Sequence, residues 1–138
     1  MDLFLSLGSN LGVRDRNIGR ALFLLDEVFG PRKGCSDMVR TQSCGFDGPE
    51  FLNMVVRYES ALPPFEVLAA CKEIEKGMGR SDAPEFDADG RRIYHNRIID
   101  IDILEYGDIV MDTPQLTIPH PQVVTRPFVA ALLEAARR

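Results

Sequence analysis

Hydrophobic residues recur at two different periods along this chain, and the order of those periods predicts its secondary structure. Apolar residues run or alternate over 3–7, 51–60 and 97–104, which is typical of β-strands. Helical spacing over 14–29 and 64–78 predicts two helices, the first ended by a Gly-Pro pair and the second opened by a Pro-Pro pair.

Shorter segments complete the order of elements. We expect a polar strand over 34–41, a loop over 42–50, a short strand over 109–112, an extended segment over 117–121 and a final helix over 128–136. The length of 138 residues predicts one domain over 1–138, in which the order of elements is β-α-β-β-α-β with trailing elements. Its expected fold is α+β, a ferredoxin-like α/β sandwich with a mainly antiparallel sheet and helices packed on it.

The segment 81–92 has no apolar period. It contains a proline, a glycine and four acidic residues, and it ends in Arg91-Arg92. Structureless loops of more than about a dozen residues are usually functional lids or disordered segments. We therefore interpret this segment as a mobile loop, and we expect the stretch 81–96 to close over bound substrates.

The strand over 97–104 carries two carboxylates two residues apart. Residues at this spacing share a face of a strand, so Asp100 and Asp102 point one way and Ile99, Ile101 and Ile103 the other. Two like charges in an apolar strand repel, and divalent cations would remove that penalty. Mg²⁺ prefers one or two carboxylates plus phosphate oxygens. An edge strand with two solvated aspartates is the simpler interpretation of a bare Asp-x-Asp.

Several cationic side chains favour the metal interpretation. Phosphoryl transfer needs positioning and charge neutralisation around phosphate oxygens. Each cation also has an ordinary explanation: Arg80 as a helix cap, Arg97 as a partner of Asp100, His120 as a packed loop residue and Arg126 as a surface residue. The four candidates are Arg80, Arg97, His120 and Arg126.

A second candidate cluster is aromatic and polar. Phe51 and Asn53 share one face of their strand, Phe128 lies two residues after Arg126, and Tyr94 precedes Arg97 by three. Two rings and an amide make a slot for a flat heterocycle that forms hydrogen bonds. The spacing alone favours the simpler interpretation that Phe51 and Phe128 are core residues.

Composition and charge narrow the function classes. The chain has 138 residues, 45% of them hydrophobic and 27% charged, and a net charge of −5, which argues against a nucleic-acid surface. Cys35, Cys44 and Cys71 lack metal-ligand spacing and are expected to be reduced thiols. The short apolar run over 3–7 lacks the features of a signal peptide or a membrane span, so we expect a cytoplasmic protein without membrane contact.

These residues carry a family likeness. The chain resembles the 6-hydroxymethyl-7,8-dihydropterin pyrophosphokinases of the folate pathway over nearly its whole length, from Leu3 to Phe128. The Arg-x-x-Asp-x-Asp element combined with Pro-His and Arg-x-Phe at these separations is highly specific. The matching motifs, in order, are Gly8-Ser9-Asn10-Leu11-Gly12, Arg40-Thr41, Phe51-Leu52-Asn53, Gly79-Arg80, Arg97-x-x-Asp100-Ile101-Asp102-Ile103-Leu104, Ile118-Pro119-His120 and Arg126-x-Phe128.

The resemblance implies transfer of pyrophosphate from ATP to the hydroxymethyl group of the pterin, with release of AMP. By matching positions it implies that Asp100 and Asp102 hold two Mg²⁺ ions. The implied catalytic cations are Arg80, Arg97, His120 and Arg126. The implied pterin site comprises Thr41, Gly45, Phe51, Asn53, Tyr94 and Phe128. The implied ATP site comprises Arg80, Arg91, Arg92, Arg97, Ile103, Leu116, Thr117, His120 and Arg126. The implied partners are small molecules only, and the chain is expected to be a monomer.

The sequence also departs from the family pattern. His95-Asn96 stands where the family often has Gly-Pro, and Tyr94 where a tryptophan is frequent. The loop after Arg80 is long and begins acidic, which leaves Arg91 and Arg92 as the local substitutes for the usual basic lid residues.

Two other function classes remain open at this stage. A metal-dependent nuclease or nucleotidyl transferase would also use the aspartate pair, although the net charge of −5 argues against a polymeric substrate. A ferredoxin-like module that binds a small ligand without catalysis would leave the aspartate pair without a role, so neutral substitutions there would be harmless or stabilising.

Overall fold

The structure is a computed structural model that describes residues 1–42, 50–79, 85–86, 88, 92–93 and 98–138. Its helices are α1 (Arg14–Phe29), α2 (Pro64–Gly77), α3 (Gln122–Thr125) and α4 (Pro127–Arg137). Its strands are β1 (Asp2–Ser9), β2 (Gly34–Cys35), β3 (Val39–Thr41), β4 (Phe51–Glu59), β5 (Glu85–Phe86), β6 (Arg92–Ile93), β7 (Asp100–Tyr106), β8 (Met111–Asp112) and β9 (Thr117–Ile118).

One five-stranded sheet organises the fold. Its strands are ordered β2-β4-β1-β7, and β3 pairs with the same edge of β4 as β2, at a different position along that strand. Every pairing is antiparallel. The chain enters β1 at the centre, crosses through α1 to the β2/β3 edge, returns along β4 and crosses through α2 to β7. This is the predicted α+β ferredoxin-like arrangement, and the fold prediction is confirmed.

The sheet separates two apolar layers. One layer contains the inward faces of α1 and α2 against β1, β4 and β7, and Ile99, Ile101 and Ile103 are buried in it. The second, smaller layer contains Phe4, Val55 and Leu104 under the apolar face of α4. The predicted alternation of β7 is therefore confirmed, because its isoleucines face the first layer and its aspartates the side that carries α4.

A β-bulge interrupts β7 immediately after the aspartates. Leu5 pairs with Ile103 whereas Phe4 pairs with Glu105, so Leu104 is an extra residue in this strand. Before the bulge the odd-numbered residues face the first apolar layer, and after it Tyr106 does. The bulge therefore decides which side chains of β7 face the core.

Three boundaries differ from the sequence-based prediction. β1 continues through Ser9, because Gly8 and Ser9 still pair with β4, whereas the predicted strand ends at residue 7. The single strand expected over 34–41 is two short strands, since the registers of β2 and β3 on β4 differ by one residue. Within 81–92 the expected lack of regular structure is wrong for the described strands, because Glu85–Phe86 pairs with Arg92–Ile93, and the rest of the predicted loop and lid over 81–96 lies almost wholly outside the described residues.

The extended segment after Leu116 also differs from the prediction. It forms the short strand β9, which pairs with β8, and then turns into the one-turn helix α3 directly before α4.

Cys35 is an exposed free thiol and Cys71 a buried one. Burial, and to a smaller extent the negative charges of Glu75 and Asp102, raises the pKa of Cys71 to about 12. Cys44 lies outside the described residues. No helix in the described part of the chain is long and apolar enough to cross a membrane.

Candidate active site

The two aspartates lie on the edge strand β7, on the side of the sheet that carries α4. Asp100 and Asp102 are half-buried and pair across to Gly8 and Ser6 of β1. Because α4 begins only at Pro127 and covers the Phe4–Leu104 end of this face, no helix in the described part of the chain covers the end with the aspartates. Both carboxylates therefore face the part of the sheet that α4 leaves uncovered.

Gly8 joins the aspartates to the second candidate cluster. It pairs with Asn53 of β4 on one side and with Asp100 of β7 on the other. Neighbouring strands lie roughly 5 Å apart, so the backbones of Asn53 and Asp100 are separated by about 10 Å across Gly8. A side chain at position 8 would project into this gap on the same face.

Gly8→Ala is expected to weaken pterin binding while nucleotide binding is kept. A Cβ at this position would lie 3.1 Å from Asn53 Oδ1 and 3.4 Å from Phe51 Cδ1, so the Asn53 amide would have to shift by a few tenths of an ångström while Phe51 would be in ordinary van der Waals contact. Overpacking of this kind typically costs about 1–3 kcal/mol. Calorimetry with the pterin and with an ATP analogue measures the two affinities separately, and equal losses for both ligands would contradict this placement of Gly8.

Asn53 has a defined orientation. Its Nδ2 donates to the Thr41 hydroxyl at 2.6 Å, and Thr41 pairs with the half-buried Phe51 across β3 and β4. With Nδ2 held by Thr41, Oδ1 and the second N–H of the amide remain for a ligand. The structure thus brings Thr41, Phe51 and Asn53 together on one face.

Arg126 and Phe128 lie at the start of α4 on this side of the sheet. The Arg126 guanidinium lies 4.5 Å from the centroid of the Phe128 ring and contacts Gln122 Oε1 at 3.4 Å. Phe128 is half-buried against the second apolar layer. Cation–π attraction holds the guanidinium on the ring face. Because its partners here are a ring and an amide oxygen, the guanidinium can still pair with an anionic ligand.

A cavity of about 320 Å³ lies on the other side of the aspartates. It is bounded by α2, β7 and the turn that precedes β9, and four of its lining residues were expected at the ATP site, namely Ile103, Leu116, Thr117 and His120. Its lining residues are Leu68, Lys72, Ile101, Asp102, Ile103, Thr113, Pro114, Gln115, Leu116, Thr117, His120 and Pro121.

His120 is fixed from two directions. Its backbone N–H donates to the Leu104 carbonyl at 2.8 Å, and its Nδ1 accepts the Gln122 N–H at 3.1 Å. Because Nδ1 is an acceptor, the neutral ring carries its proton on Nε2. Burial lowers the pKa of His120 below its ordinary value, and the negative charge of Asp100 offsets part of that shift.

This lowered pKa predicts a specific loss of stability in acid. Without ligands, the unfolded chain binds the His120 proton more readily than the folded chain, so the free energy of unfolding falls as pH drops below about 6.5. His120→Asn should remove this part of the pH dependence. The urea concentration at the midpoint of unfolding, measured between pH 7.5 and 5.5, reports this pH dependence. If the midpoint changed equally with pH in the unaltered protein and in His120→Asn, the lowered pKa of His120 would be contradicted.

The residues present fit divalent metal ions. The fit follows from the shared, half-buried face of Asp100 and Asp102, whose four oxygens are hard ligands. No cluster of three or more ligating side chains occurs among the described residues. Two carboxylates that leave the other positions to water and phosphate match the preference of Mg²⁺.

Lining residues that sequence analysis missed come from segments distant along the chain. Lys72 reaches the cavity from α2, and Thr113 and Gln115 reach it from the turn after β8, where Thr113 Oγ1 accepts the Leu116 N–H at 2.9 Å. The Lys-x-x-Glu spacing on α2 was the available signal for Lys72, because it puts both side chains on one helix face.

Several predicted site residues lie outside the described residues, namely Gly45, Arg80, Arg91, Tyr94, Arg97 and the side chain of Arg92.

This chain is similar to known proteins over nearly its whole length. Residues 4–137 match the family model for 7,8-dihydro-6-hydroxymethylpterin-pyrophosphokinase. A 2-amino-4-hydroxy-6-hydroxymethyldihydropteridine pyrophosphokinase of Porphyromonas gingivalis is 38% identical over 92% of this chain and 84% of its own length. The one from Aquifex aeolicus is 37% identical over 96% of this chain and 78% of its own length.

Longer relatives contain the same region. The mitochondrial folate synthesis bifunctional protein of Pisum sativum is 40% identical over 96% of this chain, which spans only 24% of that protein's length. The match over 4–137, together with relatives of similar length, shows that this chain belongs to the family of the 7,8-dihydro-6-hydroxymethylpterin pyrophosphokinases, the ATP-dependent diphosphotransferases of folate synthesis.

Proposed function

We propose that this chain transfers pyrophosphate from ATP to the hydroxymethyl group of 6-hydroxymethyl-7,8-dihydropterin and releases AMP. The observation that carries the proposal is the position of Asp100 and Asp102 between two different sites. On one side the cavity at Thr117 and His120 suits a nucleotide, and on the other Asn53 and Phe51 suit a flat heterocycle. The relatives' printed names support the same reaction.

The proposed reaction is compatible with this order of sites. The pterin hydroxyl oxygen forms a bond to the β-phosphorus of ATP and releases its proton to solvent, while the bond from that phosphorus to the oxygen shared with the α-phosphate breaks and AMP leaves. A pterin held at Asn53 extends its hydroxymethyl group over Gly8 toward Asp100, because no side chain at position 8 blocks that path. The adenosine of ATP occupies the cavity lined by Ile103, Leu116 and Thr117.

The chain's own side chains neutralise and orient the phosphates. His120 presents its Nε2–H as a donor to a phosphate oxygen, since Nδ1 is occupied by the Gln122 N–H. Arg126 supplies a full positive charge from the start of α4. Two Mg²⁺ ions on Asp100 and Asp102 would neutralise the triphosphate charge and polarise the phosphoryl oxygens.

Further cations of the proposed site lie outside the described residues. We include Arg80 and Arg97 as catalytic cations, Arg91 and Arg92 as ATP ligands, and Gly45 and Tyr94 as pterin contacts on the strength of the sequence motifs. We also propose that the enzyme is monomeric and works in the cytoplasm, in line with its net charge of −5 and its free Cys35 and Cys71 thiols.

A single incubation tests the proposal. The chain is mixed with ATP, Mg²⁺ and the hydroxymethyl dihydropterin, and the nucleotide products are separated by chromatography. We expect AMP and pterin diphosphate in equal amounts, and no AMP when the pterin is omitted. ADP as the product, or tight pterin binding without any nucleotide turnover, would overturn the proposal in favour of another phosphotransferase or of a binding module.

A further inference from the structure

Glu75 is a buried carboxylate that the proposed mechanism does not use. It lies on the inner face of α2 and is fully buried, with Oε2 accepting the Ile101 N–H at 2.8 Å. Its other oxygen, Oε1, lies 3.6 Å from Nζ of Lys72 on the same helix. A charge is costly to bury unless it is hydrogen-bonded, so this contact with β7 calls for an explanation.

The explanation begins with the edge position of β7. The strand has β1 on one side and no strand on the other among the described residues, and backbone groups of alternate residues point toward that open side. Ile101 is buried, so its amide cannot be satisfied by bulk water and needs a partner from the protein. Glu75 supplies that partner from the helix packed beneath the strand.

The amide that Glu75 holds lies between the two candidate metal ligands. The bulge at Leu104 comes after Asp100 and Asp102 in β7, so it does not interrupt the alternation that places both carboxylates on the ligand side. If the extra residue shifted to a position before Asp102, the alternation would invert and this carboxylate would turn toward the apolar layer. A hydrogen bond at Ile101 fixes the strand in the phase that keeps both carboxylates on one face.

We propose that Glu75 is a positioning residue for the aspartate pair and acts through the Ile101 amide. This inference rests on the proposed function, since it takes Asp100 and Asp102 as the ligands of the metal ions. Glu75 itself need not touch metal, nucleotide or pterin. What it contributes is an acceptor oxygen in a fixed place, so an uncharged acceptor at the same position should serve nearly as well.

Two variants of similar size separate the acceptor from the packing. Glu75→Gln keeps a carbonyl oxygen, whereas Glu75→Met keeps the volume and the helix propensity without an acceptor for Ile101. Glu73→Gln is the matched control, because Glu73 is exposed on the same helix. The probes are amide hydrogen exchange of Ile101 by NMR, and Mn²⁺ binding in the presence of a non-hydrolysable ATP analogue, followed by electron paramagnetic resonance.

In Glu75→Met we expect Ile101 to exchange faster by about tenfold, the loss of one hydrogen bond to a charged acceptor. Mn²⁺ affinity should fall by about 10-fold to 100-fold, as for other residues that orient metal ligands. Glu75→Gln and Glu73→Gln should both remain close to the unaltered protein in both measurements. Neither probe requires turnover, so failure of the proposed reaction would be seen separately in the AMP assay.

Two results would overturn the inference. One is unchanged Mn²⁺ affinity in a folded Glu75→Met protein. The other is weak Mn²⁺ binding in Glu75→Gln while Ile101 stays protected, because the charge of Glu75 and not its hydrogen bond would then be what matters. If circular dichroism shows that Glu75→Met does not fold, the second comparison alone decides.

Discussion

Asp100→Asn or Asp102→Asn should each reduce pyrophosphate transfer by at least about 10³-fold, the largest effect that we expect from any single change. Each replacement is nearly isosteric but removes one of two negative charges from the open face of β7. Metal ions contribute several kcal/mol to stabilising phosphoryl transfer, and about 1.4 kcal/mol corresponds to a factor of ten in rate. Formation of AMP at saturating ATP and pterin measures the loss.

The pattern of the kinetic loss is part of this prediction. An interaction realised mainly in the transition state lowers kcat and kcat/KM together. The fold should be retained, because removing one of two adjacent like charges relieves repulsion. Asp108→Asn serves as the control, since Asp108 is exposed just beyond β7. Near-normal kcat in either variant, or a change confined to KM, would contradict the assignment of these residues as metal ligands.

Much of the fold followed from local pattern. The α1 boundaries were predicted from apolar spacing and a terminating Gly-Pro, and the structure has the same Arg14–Phe29 helix. The facing of Asp100 and Asp102 followed from strand alternation alone, because three buried isoleucines alternate with them. Such features depend on neighbours within a few residues, and periodicity reports those neighbours directly.

Features that depend on strand pairing did not follow from local pattern. The predicted first strand ends at residue 7, yet Gly8 lies in β1 between Asn53 and Asp100, which are distant from it in sequence. The interruption between β2 and β3 and the bulge at Leu104 are differences of one residue in register. Register is set by how strands meet across the sheet, and a single sequence carries no direct signal of it.

On the nucleotide side of the candidate site, some residues were likewise predicted from the sequence and others were not. Leu116, Thr117 and His120 were expected there from motifs, and the structure groups them around one cavity. Lys72 and Glu75 were not expected, because they come from α2 and approach β7 only through the packing of that helix on the edge strand.

Asn53→Ala should weaken pterin binding by roughly 5-fold to 150-fold and leave the affinity for an ATP analogue unchanged. The substitution leaves hydrogen-bonding groups of the bound ring unpaired, at a cost of about 1–3 kcal/mol. It also frees the Thr41 hydroxyl, which accepts from Asn53 Nδ2 at 2.6 Å. Calorimetric titration of each ligand alone gives the two affinities. Arg40→Ala, next to Thr41 but on the opposite face of β3, is the control.

Thr41→Val separates contact from orientation at this site. If Thr41 acts by holding the Asn53 amide, its loss should matter less than the loss of Asn53 and should add little in the double variant, because the two side chains share one interaction. Fully additive losses in the double variant would show that Thr41 contacts the pterin independently. Equal weakening of pterin and ATP binding in Asn53→Ala would instead mean that the slot at Phe51 and Asn53 is not where the heterocycle binds.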